Sequence, residues 1–201
     1  MLLENKLNIT NDDELALAEE RFGKRGALAL WDGGLPGKEK AGSFEALAEI
    51  HRALFGEVFE FARKLRPVNM SKGEFTFAMA AFLDSVVADV EKMSQGTFEE
   101  IVEKYVEMNV AHPFREGNGR SMRIWLDQML RKELKVVVDW STIEKEAYLT
   151  AMAVSPFDDG KIKGLLRSAL TDRIHDRELY LRGIDQSFYF EGYAAYQTKE
   201  L

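Results

Sequence analysis

The stretch His112-Pro113-Phe114-Arg115-Glu116-Gly117-Asn118-Gly119-Arg120-Ser121-Met122-Arg123 brings an imidazole, a carboxylate, a Gly-Asn-Gly turn and two arginines into twelve consecutive positions. Its flanks decide the fold. Upstream, Thr97 and Glu100 have capping-box spacing, and Phe98, Ile101, Val102, Tyr105 and Met108 make one apolar stripe of helical period. His112 prolongs that stripe, four residues beyond Met108, and Pro113 disfavours helical geometry at the residue before it, so the helix ends there. Downstream, Met122, Trp125, Leu126, Met129 and Leu130 mark the inward face of a second helix, over about 118–133. The segment is therefore a helix-loop-helix that carries its polar groups at the bend.

The same reading extends outward. Ala, Leu, Glu, Lys and Arg are abundant and β-branched clusters are few, which predicts an all-α fold. Asp12 or Asp13 caps a helix through about Lys24, and Ser43 caps another bearing Phe44, Leu47, Ile50, Leu54 and Phe55, which Gly56 ends or loosens in its last turn. Residues 68–78 read as a short hairpin, because Ser71-Lys72-Gly73 offers a turn and Phe75 and Phe77 alternate with polar residues. Further helices are expected over 79–93, 97–112, 141–154, 159–170, 174–183 and 186–195, with Gly183 as a stop and Asp185 or Ser187 as the next cap. Val136-Val137-Val138 has strand character but looks short and isolated.

At 201 residues and 46% hydrophobic, the chain suits one sizeable core, and no linker or repeat divides it. The expected organisation is one domain, with residues 1–184 as its core and 185–201 as a terminal helix and tail. A net charge of −7 argues against a broad nucleic-acid face, so any phosphate site must be local. The absence of cysteine excludes disulfides, a thiolate nucleophile and a Cys-rich zinc site. The first residues lack a basic region followed by an apolar core, and no apolar run approaches bilayer-spanning length, which leads to the expectation of a soluble cytoplasmic protein without membrane contact.

Each group in the loop has an ordinary reading and a chemical one. A histidine on an apolar face is commonly a hydrogen-bonded core residue, but it is also a general base at neutral pH. Gly117-Asn118-Gly119 reads as a turn, or as exposed N–H groups at a helix start that bind an anion with the help of the helix dipole. Arg120 and Arg123, three apart, either form a solvated face or lean toward one loop and grip separate phosphate oxygens. Glu116 is a surface carboxylate, or the hard oxygen that a phosphate-bound Mg²⁺ prefers. Base, metal carboxylate, anion loop and paired arginines within one helix-loop-helix favour a phosphoryl or nucleotidyl transfer site.

The segment resembles the signature H-x-F-x-[D/E]-G-N-G-R-x-x-R of the Fic family, and every defined position is filled. The resemblance implies a single Fic-type helical domain in which a hydroxyl on a target protein attacks the α-phosphorus of ATP and pyrophosphate leaves. His112 would then take the hydroxyl proton and Phe114 would anchor the loop. Glu116 would hold Mg²⁺, Gly117 and Gly119 would offer N–H groups, Asn118 would orient phosphate oxygens, and Arg120 and Arg123 would clamp the β- and γ-phosphates. The hairpin resembles the family's flap, which docks a target segment by strand addition; Lys72, Phe75 and Phe77 are the candidate contacts, or else aromatics that only reach the core. Ser187-Phe188-Tyr189-Phe190-Glu191-Gly192 resembles the inhibitory motif [S/T]-x-x-x-E-[G/N]. It implies that Glu191 pairs with Arg123 and denies it to the γ-phosphate, with Ser187 orienting the carboxylate; otherwise this is an aromatic helix that covers core.

The leading expectation is thus a protein adenylyltransferase with ATP as substrate, Mg²⁺ as cofactor and a target presenting a Tyr, Ser or Thr hydroxyl. Family analogy alone suggests a gyrase or topoisomerase subunit as target. Removal of AMP with Glu191 positioning water, transfer of another nucleotide or phosphate, and a non-catalytic nucleotide-binding regulator are the alternatives, and homo-oligomerisation stays open.

Overall fold

The computed structural model of the protein describes residues 2–34 and 40–201. Eight α-helices carry the described fold: α1 (Asp12–Asp32), α2 (Phe44–Phe55), α3 (Leu83–Lys92), α4 (Phe98–Ala111), α5 (Asn118–Leu134), α6 (Lys145–Val154), α7 (Gly160–Ser168) and α8 (Arg177–Phe190). Two antiparallel ribbons complete it, β1 (Ser71–Lys72) with β2 (Phe75–Thr76), and β3 (Val137–Val138) with β4 (Leu170–Thr171). Among the described residues no helix is long and apolar enough to cross a membrane.

The α4–α5 pair lies at the centre. Both halves of the expected capping box are present at Thr97 and Glu100, which fixes where α4 begins. Its stripe of Ile101, Val102, Tyr105 and Met108 is almost fully buried, as are Met122, Trp125, Leu126, Met129 and Leu130 of α5. Trp125 donates its indole N–H to the Ser43 carbonyl at 3.0 Å, tying α5 to the start of α2, where the Ser43 hydroxyl caps Ala46. Helix α1 packs on α2 and α8, α3 on α4, and α6 on α7.

Four expectations need correction. The cap of α1 is Asn11, whose carboxamide accepts from Glu14 N at 3.0 Å, and the helix runs past Lys24 to Asp32. Residues 174–183 and 186–195 are not two helices: α8 passes through Gly183, which is buried in mid-helix against Trp140, so neither Asp185 nor Ser187 is a cap, and Asp176 caps the helix. The terminal helix thus begins at Arg177, within the segment expected to be core. Val137-Val138 is not isolated, because it pairs with Leu170-Thr171, a contact that no local pattern announces. The hairpin was correctly placed, with Lys72 opposite Phe75 and Ser71 opposite Thr76.

Candidate active site

At the end of α4, His112 adopts a left-handed conformation (φ 49°, ψ 61°), which ends the helix and turns the chain into the loop. Phe114 is fully buried, its ring 3.9 Å from that of His51 and 5.9 Å from that of Phe44. Asn118 closes the loop on itself: its Nδ2 donates to Phe114 O at 2.7 Å and its Oδ1 accepts from Phe114 N at 2.9 Å. The side chain of Asn118, expected to orient phosphate oxygens, is thus buried and braces the loop backbone, and the residue also lines the cleft described below. Gly117, at φ 75°, leads into α5 in a conformation that disfavours side chains.

The His112 imidazole stacks on Phe77, with centroids 3.8 Å apart and planes at 16°. Its Nδ1 is buried, and the backbone carbonyl of Asn109 favours protonation of the ring. Burial, assisted by the Arg66 and Lys72 charges, outweighs Asn109 and Glu191 and lowers the imidazole pKa to about 4. The ring is therefore neutral, the form that accepts a proton. Phe77 is buried beneath it and is no surface contact, Phe75 is half-buried and meets the exposed ring of Phe157 at 6.3 Å, and Lys72 is exposed. Only Lys72 and Phe75 of the three expected flap contacts remain accessible.

The two arginines part company. Arg123 donates from Nε to the Ser187 hydroxyl at 2.7 Å, and from NH2 to the Ser187 carbonyl at 2.8 Å and to Glu191 Oε1 at 2.9 Å. Tyr148 accepts from its NH1 at 3.3 Å. Arg120 turns instead to α1, where its NH2 meets Glu19 at 2.5 Å, and to Glu116 at 2.9 Å. Its guanidinium lies between Phe55, Tyr193 and Phe188, 4.6–5.2 Å from each ring centroid. Both guanidiniums reach the loop, Arg120 at Glu116 and Arg123 beside Gly119, but each is also held from outside it, Arg120 by Glu19 on α1 and Arg123 by Ser187 and Glu191 at the end of α8. Ser187 departs from expectation, since it holds Arg123 rather than Glu191.

Gly119 sits under this pair, and a Cβ there would come within 2.6 Å of Glu191 Oε1 and 3.0 Å of Arg123 NH1. Burial pushes the Glu191 carboxyl up, but Arg123, with Arg120 and Lys72, overrides it and holds the group ionised below its ordinary range. Lys72, Phe77, His112, Glu116, Gly119 and Glu191 line one cleft. Glu116 is fixed by Gly117 N at 2.8 Å and by Arg120, yet its side chain stays 40% exposed. An accessible carboxylate of this kind suits Mg²⁺ that brings phosphate oxygens and water as its other ligands. Among the described residues no three His, Cys, Asp or Glu side chains gather to hold a metal by themselves.

Sequence reasoning missed His51 and Arg66. The His51 Nε2 lies 2.8 Å from the Glu116 carbonyl, and its Nδ1 accepts from Arg63 N at 3.0 Å, so the neutral Nε2–H tautomer donates to the loop. A histidine on the apolar face of α2, four residues before Phe55, was a visible sign of this. Arg66 carried no such sign, because its acceptors are scattered along the chain.

The Fic/DOC family profile matches residues 42–130, from just before α2 into α5. The probable protein adenylyltransferase Fic of Escherichia coli (strain K12) is 30% identical over 162 residues, covering 73% of this chain and 76% of that protein. The chain belongs to the Fic/DOC family. Another relative, protein adenylyltransferase VbhT of Bartonella schoenbuchensis, is 28% identical over 180 residues; these span 84% of this chain but only 37% of VbhT. Its curated Fic relatives thus bear the names of nucleotidyltransferases. The Fic fold is shared with BepC, a VirB-translocated effector protein of Bartonella tribocorum solved with bound AMPPNP (TM-score 0.70, 20% identity, 85% of this chain and 93% of that one). It is shared equally with the N-terminal FIC domain of Bep8 from Bartonella sp. 1-1C (TM-score 0.72, 18% identity, 89% and 92% covered).

Proposed function

We propose that this protein transfers AMP from ATP to a hydroxyl side chain of a target protein, and that Glu191 restrains the reaction by occupying Arg123. The observation that carries this is the convergence of His112, Glu116 and the start of α5 on one cleft, with the Arg123–Glu191 pair directly above Gly119. The target hydroxyl loses its proton to the neutral imidazole of His112, whose buried Nδ1 leaves Nε2 for the cleft. The hydroxyl oxygen bonds to the α-phosphorus, the bond from that phosphorus to the bridging oxygen breaks, and pyrophosphate leaves. Backbone N–H groups at the start of α5 meet the developing negative charge, aided by the positive end of the helix. Glu116 would hold Mg²⁺, which supplies charge neutralisation to the phosphates. Arg123, once free of Glu191, is the guanidinium available to the terminal phosphate, while Arg120 braces Glu116 from beneath. Inhibition is a competition for one fork, since Arg123 NH2 cannot serve Glu191 and a phosphate in the same geometry.

A cytoplasmic target fits this reading, and a gyrase or topoisomerase subunit is carried over from family analogy alone. The decisive test presents Glu191→Gly protein and its His112→Ala double variant with α-labelled and γ-labelled ATP in a bacterial extract. A protein band from the α label alone, lost with His112, is the expected result. A band from the γ label, or one indifferent to His112, refutes the proposal.

A further inference from the structure

The last carbonyls of a helix have no partner within it, and those of α4 end at the catalytic loop. Four consecutive carbonyls there are met by only two residues. Val110 O accepts from Ala78 N at 3.1 Å, and Pro113 O accepts from Arg66 N at 2.9 Å. Ala111 O accepts from Arg66 NH2 at 3.2 Å, and His112 O from Arg66 Nε at 2.7 Å. The same guanidinium reaches Val68 O and Ala78 O, both at 2.5 Å. Val68 and Ala78 are the two feet of the hairpin, just outside the Met70–Phe77 pair in which Phe77 N donates to Met70 O at 3.1 Å.

Arg66 is 2% exposed, and among the described residues no carboxylate lies within ion-pair distance of it. A buried guanidinium with only carbonyl partners is costly unless its donors are satisfied, and here the fan of acceptors, at the negative end of the α4 dipole, satisfies them. Such a group ties together in one rigid fork what would otherwise be a mobile hairpin and a helix terminus. Phe77, at the hairpin's inner end, then stacks on the His112 ring. Backbone below and ring above therefore fix the imidazole to the hairpin.

We propose that Arg66 is a positioning residue that locks the flap to the His112 backbone, so that a hydroxyl on a target strand docked along the flap arrives in register with the imidazole. This rests on the reading of His112 as base and of residues 68–78 as the target flap. Because Arg66 does not line the cleft, it sets the relation of target to base and leaves the phosphate site untouched. Arginine is required by geometry: an ammonium keeps the charge at the helix end, but its three donors radiate from one atom and cannot span Val68, Ala78 and His112 together.

Arg66→Lys is the primary test, since it retains the charge and spares the core, and Arg66→Met accompanies it. Three quantities are read in the Glu191→Gly background: the dissociation constant of a non-hydrolysable ATP analogue with Mg²⁺, α-label transfer into extract protein, and amide exchange. Arg66→Lys is expected to leave analogue binding within twofold. Transfer should fall at least tenfold, and the amides of residues 70–77 should exchange at least tenfold faster while those of α5 are unchanged. Equal transfer and exchange in the lysine variant would overturn the proposal, as would a parallel loss of analogue binding and α5 protection, which would mark Arg66 as general scaffolding. If the Arg66-intact protein transfers no AMP, the adenylyltransferase reading fails by itself, and the exchange measurement still decides whether Arg66 ties the flap to His112.

Discussion

Replacing Glu191 with glycine removes one carboxylate and leaves the rest of the Arg123 cradle in place. The guanidinium keeps its bonds to the Ser187 hydroxyl and carbonyl at 2.7 and 2.8 Å and to Tyr148 at 3.3 Å, so it stays aimed at the space above Gly119. What is lost is a single charge-assisted bond of 2.9 Å to a side chain that is 30% exposed. Hydrogen bonds to charged groups contribute about 1.5–3 kcal/mol, which sets the free energy ATP must otherwise spend to displace the carboxylate. With each 1.4 kcal/mol worth a factor of ten, transfer at subsaturating ATP should rise about 10- to 150-fold in Glu191→Gly. Glu191→Gln, which keeps a hydrogen-bonding group but not the charge, should fall between. The assay is the initial rate of label incorporation from α-labelled ATP with Mg²⁺, alongside a melting temperature to confirm folding. A folded Glu191→Gly protein whose rate changes less than twofold would refute the competition for Arg123, whatever the chemistry of the site.

Three further outcomes are expected. Burial lowers the His51 pKa from 6.5 to about 4, so the folded ring holds its proton more weakly than the unfolded one; the stability this confers is complete above about pH 6.5 and is lost as pH falls toward 4. Between pH 7 and pH 5 the protein should therefore lose about 2 kcal/mol more than His51→Gln does, measured by urea unfolding at both pH values, and equal losses would show that His51 is not held neutral. Phe114→Ala removes a fully buried ring and should cost about 3–5 kcal/mol, whereas Phe157→Ala, at 84% exposed, should stay within about 0.5 kcal/mol; similar effects in denaturant unfolding would refute the anchoring role of Phe114. Finally, His112→Ala in the Glu191→Gly background should cut transfer at least about 100-fold, the contribution typical of a general base, with analogue binding retained, and a smaller loss would assign the proton to another group.

How much of this was legible in the sequence differs from element to element for physical reasons. The α4 cap, its stripe and the stop before Pro113 are all encoded within a few residues, and so is the hairpin turn at Gly73; local rules suffice there. The break expected at Gly183 was wrong because glycine's poor helix propensity yields to packing against Trp140, a residue 43 positions away by number. Likewise Asn11 caps α1 although Asp12 and Asp13 follow it, since a cap depends on which residue takes extended backbone, not on residue type alone.

The site divides along the same line. Residues 112–123 by themselves determined which chemical groups are present and in what order, because they are contiguous and a helix-loop-helix brings contiguous groups together. Only the tertiary structure decided where each group points. Arg123 meets Ser187 and Glu191 across 64 and 68 residues, Arg120 turns to Glu19 on α1, and Arg66 gathers carbonyls from the feet of the hairpin and the end of α4. A long charged side chain has many rotamers of similar energy, and its direction is chosen by the partners that folding places within reach.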